Sequence, residues 1–247
     1  EHNMILSASG WRKVFSISND EQDKNPQISE NDKKISIAAA NVFFDYLSNI
    51  TNQPNPVIAL GYDTRPTGPA IADAMLKTLI YKGAIIQFSA ITSAPEIIKK
   101  KKKLDGFIYI SASHNPIGHN GIKFGTNDGG VLNGSENAKL VKSFIELLDN
   151  EEKLNEVVEN ALNSSNTTLK EIYKLSESAK YNALNTYKDF VKQTITNTAN
   201  KDHQTDFFQM LQFQLQNNSI GIVCDFNGSS RAKCIDKEFF KENKINF

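Results

Sequence analysis

The thirteen residues Ser111-Ala112-Ser113-His114-Asn115-Pro116-Ile117-Gly118-His119-Asn120-Gly121-Ile122-Lys123 bring a hydroxyl, imidazoles, amides and an ammonium together. The apolar run Gly106-Phe107-Ile108-Tyr109-Ile110 leads straight into them, so a strand ends where Ser113 begins an exposed loop. Loops carried by a rigid strand are where reactive groups concentrate. His114 and Lys123 flank the serine with donors suited to an anion. A hydrolase nucleophile would need a Gly-x-Ser-x-Gly elbow. Ser111 and Asn115 stand at those glycine positions, so the elbow is absent. The side chain of adjacent His114 points away from Ser113 in an extended loop, which makes it a poor general base. A serine that carries a phosphoryl group fits better. That group adds about −1.5 to −2 charge and three acceptor oxygens, and His114, Lys123 and Arg12 can supply donors, with a divalent cation on a phosphate oxygen. The spacing by itself also fits a plain strand-ending turn.

Other residues admit a bland and a functional reading. Asp63 and Arg65 stand two apart in the loop Tyr62-Asp63-Thr64-Arg65-Pro66-Thr67-Gly68-Pro69. They either brace one another or contact a polar substrate, and bracing is the commoner role of such a pair. Ser9-Gly10-Trp11-Arg12 reads as packing plus a solvated charge. Lys99–Lys103 reads as a solvated helix C-terminus, where cations complement the helix dipole. No aromatic residues interleave that run, which argues against nucleic-acid binding. His2 and His119 lack the further ligands zinc needs, and His203 falls in an expected linker.

Stepping from these residues to the elements that hold them, Lys33–Ile50 shows helical periodicity through Ile35, Ala39, Val42, Phe43, Tyr46, Leu47 and Ile50, with Asn31 or Asp32 as cap. Strands are expected at 57–60, 84–88 and 106–111. Helices are expected at 70–82, stopped by Gly83, from Pro95, and at 136–148 with Asn133 and Glu136 as a capping box. This alternation predicts an α/β fold with a mostly parallel mixed sheet flanked by helices. Ligands in such folds sit beyond the carboxyl ends of strands, so the 61–69 and 111–123 loops should converge. Residues 1–31 read as irregular and 149–180 as exposed helix and loop. The 181–195 stretch reads as amphipathic, 197–206 as a linker, and Ile220–Asp225 as a fresh buried strand with Cys224 in a core. That pattern divides the chain into a domain at 1–200 and the incomplete start of a second at 207–247.

The 247 residues carry 28 Lys+Arg against 28 Asp+Glu, a balance that argues against a dedicated nucleic-acid or membrane-surface protein. No apolar stretch approaches the roughly 20 residues that span a bilayer. The first residues are too short and polar a run for a signal peptide. With only Cys224 and Cys234, a reduced, cytoplasmic setting is expected.

Together these pieces resemble the α-D-phosphohexomutase superfamily, which includes phosphoglucomutase and phosphomannomutase. Its active-site stretch, Thr/Ser-Ala-Ser-His-Asn-Pro followed by Asn-Gly-x-Lys, stands here as Ser111–Pro116 and Asn120–Lys123. Two further motifs occur in the expected order, Ser9-Gly10-Trp11-Arg12 and Gly61-Tyr62-Asp63-Thr64-Arg65, and Ile220–Gly228 looks like the start of the family's second domain. One departure is Lys13, where the family usually has Gly. The resemblance implies an intramolecular phosphotransferase that interconverts hexose 1-phosphate and hexose 6-phosphate through a phosphoserine at Ser113 and a bisphosphate intermediate. It implies Mg2+ bound through the Ser113 phosphate, a hexose 1,6-bisphosphate activator and a sugar phosphate substrate. His114, Lys123 and Arg12 would be catalytic, with Asn115, Asp63 and Arg65 as support. A phosphoglucosamine mutase, or a phosphorylated binding protein without turnover, are the alternatives. The remaining metal ligands and the C-terminal domains would lie beyond Phe247, so this stretch alone is expected to lack turnover.

Overall fold

Short apolar runs punctuated by Gly and Pro become the strands of one sheet, and the longer periodic runs become helices laid on it. The computed structural model describes residues 4–98, 104–218 and 220–247. The expected Lys99–Lys103 helix end lies outside the described residues. In chain order the elements are β1 (Ile5–Ser7), β2 (Gly10–Val14), α1 (Glu30–Thr51), β3 (Val57–Tyr62), α2 (Gly68–Lys82), β4 (Ile85–Ile91) and α3 (Ala94–Ile98). There follow β5 (Gly106–Ile110), β6 (His119–Thr126), α4 (Gly134–Asp149), α5 (Glu151–Leu162), α6 (Asn166–Thr196), α7 (Lys201–Asn217), a 3-10 turn at Ser230–Lys233 and α8 (Asp236–Glu242).

The sheet order is β1-β2-β6-β5-β3-β4. β4, β3 and β5 run parallel, while β6, β2 and β1 are antiparallel to their neighbours. The sheet is therefore mixed and flanked by helices, with its parallel part confined to the three strands that pattern reading had found. The antiparallel part comes from segments read as irregular or as loop: β1 and β2 lie within residues 1–31, and β6 begins inside the 111–123 stretch. Strands this short present too few alternations to stand out, and β6 is visible only as Asn120, Ile122 and Phe124 turning inward.

β5 is buried along its whole length, as a strand covered on both faces must be. Ile108 and Ile110 face a large core built with Phe43, Leu47, Met75 and Leu79 of α1 and α2. Phe107 and Tyr109 face a smaller core with Ala59 and Ile97 of α3. Ser29 caps α1, accepting the Asp32 N–H, in place of the expected Asn31 or Asp32; Asp32 lies inside the helix, where Lys13 pairs with it. Gly83 ends α2 at φ 83°, as expected. Asn133 accepts the Glu136 N–H, but the Glu136 carboxylate turns to Lys139 and Tyr46, so only half the capping box forms.

Beyond residue 149 the pattern reading needs correction. Val157 and Ala161 of α5 are buried in the main core, so this helix is a working part of the fold. α6 runs beside edge strand β4 and is pinned there by Tyr173 against Phe88, at 5.4 Å between centroids, and by Lys180 paired with Glu96. The expected linker is only partly one, because Lys201 already starts α7. Ile220–Asp225 is not a strand. It makes a single bridge, Gly221 to Asn246, and Val223 is fully exposed. A lone apolar strand has no backbone partner and no face to bury, so it cannot form a core, and Cys224 is accordingly only half-buried.

Candidate active site beyond the strand ends

The two loops do converge, and Arg65 joins them. Its side chain is 8% exposed, and the guanidinium donates to four carbonyls of the serine loop. They are Ser113 at 2.9 Å, Asn115 at 2.6 Å, His119 at 3.0 Å and Pro116. Asp63 holds the arginine in turn: its carboxylate accepts the Arg65 backbone N–H at 3.0 Å and lies 3.4 Å from Nε. Asp63 is itself anchored to β5 through its N–H on the Ile110 carbonyl. The planar five-donor fork of arginine suits this fan of acceptors, which a single ammonium could not match.

Held this way, the loop presents Ser113 at φ 59°, a left-handed conformation rare outside Gly, Asn and Asp. Such strain persists only where the surroundings over-determine it. Here the Ser113 N–H donates to Ser111 Oγ at 3.2 Å, the Ser111 N–H to the Gly121 carbonyl at 2.8 Å, and the Asn115 N–H to the Ala112 carbonyl at 3.2 Å. Ser113 and His114 are exposed, and Asn115 is half-buried. From behind, residues 15–21 wrap the loop at Gly118. The Phe15 and Ser16 N–H groups donate to its carbonyl, and its own N–H donates to Glu21. A Cβ at Gly118 would lie 2.3 Å from the Asp20 carbonyl oxygen, so only glycine fits. Sequence reading missed this backing, whose one signal is the loop's glycine.

Arg12 on β2 and Lys123 on β6 approach the same end of the sheet. Arg12 pairs across from Gly121, where a side chain would meet Arg12 Cγ at 3.0 Å, and Gly10 leaves room for the Lys123 stem. Arg12 Nη2 donates to Ser9 at 3.2 Å (carbonyl) and 3.1 Å (hydroxyl), whereas its buried Nε has no partner. A buried N–H without an acceptor is uncommon enough to need a reason. Burial first, and Arg12 next, push the Lys123 ammonium below the usual lysine range, with Asp63 opposing.

That depression has a stability consequence. Between the lowered value and the ordinary lysine value, the unfolded chain binds more protons than the folded one, so stability rises with pH there. Below that window the cost is present in full. Lys123→Met should therefore raise Tm at pH 7. Thermal denaturation of both proteins at pH 7 checks this, and an unchanged or lower Tm would refute it.

The site residues do not by themselves fit a Mg2+ site. The ion takes near-octahedral oxygen ligands, yet no group of three Asp, Glu, His or Cys converges among the described residues. The Asp63 carboxylate is already engaged by Arg65. A phosphate on Ser113 would supply one ligand. Among the described residues no helix is long and apolar enough to cross a membrane.

Comparison with known proteins accords with this geometry. The family model described as phosphoglucomutase/phosphomannomutase, alpha/beta/alpha domain I, matches residues 6–151. Phosphoglucosamine mutase of Staphylococcus carnosus is 35% identical over 85 residues, covering 34% of this chain and 19% of that protein. The Bacillus cytotoxicus protein of the same name is 36% identical over 96 residues, covering 38% and 21%. The chain thus spans only a small part of the length of these relatives. A phosphoglucomutase/phosphomannomutase family protein of Burkholderia thailandensis superposes with a TM-score of 0.44 at 20% identity, covering 58% of this chain and 30% of that one. The match over residues 6–151 takes in more than half of the 247 residues, including every residue of the serine loop and its clamp, and by it the chain belongs to the phosphoglucomutase/phosphomannomutase family.

Proposed function

We propose that Ser113 is the phosphoryl carrier of a hexose phosphate mutase, which interconverts hexose 1-phosphate and hexose 6-phosphate through a hexose 1,6-bisphosphate. The observation that carries this reading is the Arg65 clamp, which fixes four carbonyls of the loop while leaving the Ser113 side chain exposed. In the charging step the Ser113 oxygen bonds to phosphorus and the ester bond to the sugar oxygen breaks. The serine proton ends on that departing oxygen. In the return step the free hydroxyl of a hexose monophosphate bonds to the phosphorus, the bond from phosphorus to the Ser113 oxygen breaks, and the hydroxyl's proton passes to that oxygen, so that a bisphosphate forms and either of its phosphoryl groups can recharge the serine. Such transfers need in-line positioning and charge neutralisation more than covalent help from the protein. Arg12 and Lys123 supply positive charge, and the unpaired Nε of Arg12 is a donor in want of an acceptor. Arginine is a poor general base at its ordinary pKa, so its role is electrostatic. His114 contacts the phosphoryl group, while Asn115, Asp63 and Arg65 hold the loop. In the same reading residues 1–200 form the phosphoserine domain, residues 207–247 begin a second, and the protein works in the cytoplasm.

The test is intact-mass and peptide mass spectrometry after incubation with glucose 1,6-bisphosphate. One phosphoryl mass is expected on the peptide containing Ser113, absent from Ser113→Ala. A wild-type protein that takes up no phosphoryl group, or a Ser113→Ala protein that still does, would overturn the proposal.

A second reading concerns the sugar. The curated relatives named above are phosphoglucosamine mutases, which favours an amino sugar over glucose or mannose. Dephosphorylation of charged Ser113 by glucosamine, glucose and mannose 6-phosphates in parallel ranks the three. Equal rates would remove the amino-sugar preference.

A further inference from the structure

Asn120 is fully buried where the serine loop enters β6. Its carboxamide Oδ1 accepts the Gly121 N–H at 2.9 Å, and its Nδ2 donates to the Thr67 hydroxyl at 3.1 Å. A backbone N–H can only donate, so Oδ1 must face Gly121 and Nδ2 must face Thr67. Thr67 is 1% exposed, so water competes at neither end. This threonine stands at the N-cap of α2, where a side-chain oxygen ordinarily accepts a helix N–H. Here the side chain makes no capping bond, and its oxygen takes the Asn120 amide instead. The helix forgoes its cap and gains a tie to the strand, the kind of local departure that proteins keep chiefly at functional sites.

From Gly121 the contacts run back to the serine. β5 and β6 pair as far as Ile110 and Ile122. One further bond extends the ladder, from the Ser111 N–H to the Gly121 carbonyl at 2.8 Å. The Ser111 hydroxyl then accepts the Ser113 N–H at 3.2 Å. Gly121 is thus held on both sides, by Asn120 at its N–H and by Ser111 at its carbonyl. Arg12 lies directly across from it on β2, so one fixed residue places both the serine and the cation. The Arg65 clamp takes the carbonyls of residues 113, 115, 116 and 119 and stops one residue short. Asn120 takes over at that point, and Thr67 belongs to the same 61–69 loop as Arg65.

We infer that Asn120 is a positioning residue for Ser113, acting through Gly121 and Ser111 and braced by the Thr67 hydroxyl. This rests on the reading of Ser113 as phosphoryl acceptor. Without the brace the carboxamide is free to rotate, the Gly121 N–H loses its acceptor, and the last rung that places Ser111 loosens.

The test uses the full protein with Asn120→Ala, Thr67→Val, Thr67→Ser and the double variant of Asn120→Ala with Thr67→Val. Amide hydrogen exchange across residues 111–121 is read beside the rate and KM of phosphoryl uptake from glucose 1,6-bisphosphate. For Asn120→Ala, exchange at Gly121 should rise about 5- to 10-fold, the effect of one net hydrogen bond, with a smaller rise at Ser111. Uptake should slow by the same order while KM moves less than about twofold. Thr67→Val removes the acceptor at nearly constant shape and should shift both readouts in the same direction by less. Thr67→Ser keeps the acceptor and should stay within about twofold of wild type. The double variant should be no worse than Asn120→Ala, because both changes act on one path. If Asn120→Ala fails to fold, the two Thr67 variants decide through the same readouts. A role in stability alone would lower the urea midpoint and leave the uptake rate unchanged. That result, unchanged exchange at Gly121, additive losses in the double variant, or a raised KM at unchanged rate would overturn the inference. A wild-type protein that never takes up a phosphoryl group would sink the phosphoserine reading alone, and exchange at Gly121 and Ser111 would still decide the role of Asn120.

Discussion

Arg65→Ala is expected to slow phosphoryl uptake by Ser113 about 100-fold or more, since misplacing a reacting atom by about 1 Å can cost that much. Four carbonyls lose their donor at once, and the Asp63 carboxylate loses its cation in a setting where it is only 14% exposed. Removing one partner of a buried pair costs more than the pair contributes, because the other charge stays uncompensated. The variant should therefore also lose about 3 kcal/mol of stability. Arg65→Lys sharpens the test. It restores the charge but not the fork, so it should recover less than about tenfold of the lost rate. Uptake kinetics by mass spectrometry, with urea unfolding of each protein, check both numbers. A lysine variant that matches wild type would mean that charge alone, and not the fan of hydrogen bonds, holds the loop.

The second large effect is expected away from the site. Glu96 is fully buried, and its carboxylate accepts from Ser93 N–H at 3.0 Å, Ser93 Oγ at 2.8 Å and Thr92 Oγ1 at 3.2 Å, and pairs with Lys180 of α6. Lys180→Met leaves that carboxylate without its cation and should destabilise the fold by about 3 kcal/mol, the low end for a broken buried pair because Lys180 is 17% exposed. Combining it with Glu96→Gln removes the orphan charge and keeps the bonds to Ser93, so the double variant should be more stable than Lys180→Met alone. Urea denaturation of the three proteins measures this. A double variant that is weaker than the single would show that the pair, and not the orphan charge, carries the energy.

Both effects fall on contacts between residues far apart in the chain, and this separates what pattern could reveal from what it could not. Helix α2 was legible because its apolar spacing and the Gly83 stop are local. The parallel strands β3, β4 and β5 were legible because each is an apolar run bounded by turn residues. β6 was missed because a half-polar strand that opens with His119-Asn120-Gly121 reads as a turn until a neighbour pairs with it. The supposed strand at Ile220–Asp225 failed for the converse reason: apolar character proposes a strand, but only a partner makes one.

The order of residues by itself determined the α/β class, the strand that delivers Ser113 and the position of the candidate loop, since periodicity, turn chemistry and contiguous motifs are properties of near neighbours. Only the tertiary structure decided that Arg65 clamps the loop and that Gly118 is backed by residues 15–21. It alone set Lys180 against Glu96 and brought the Gly228 carbonyl to the Thr64 hydroxyl. Those contacts span tens of residues or more, and their partners are selected by strand register and helix packing, which no local pattern encodes.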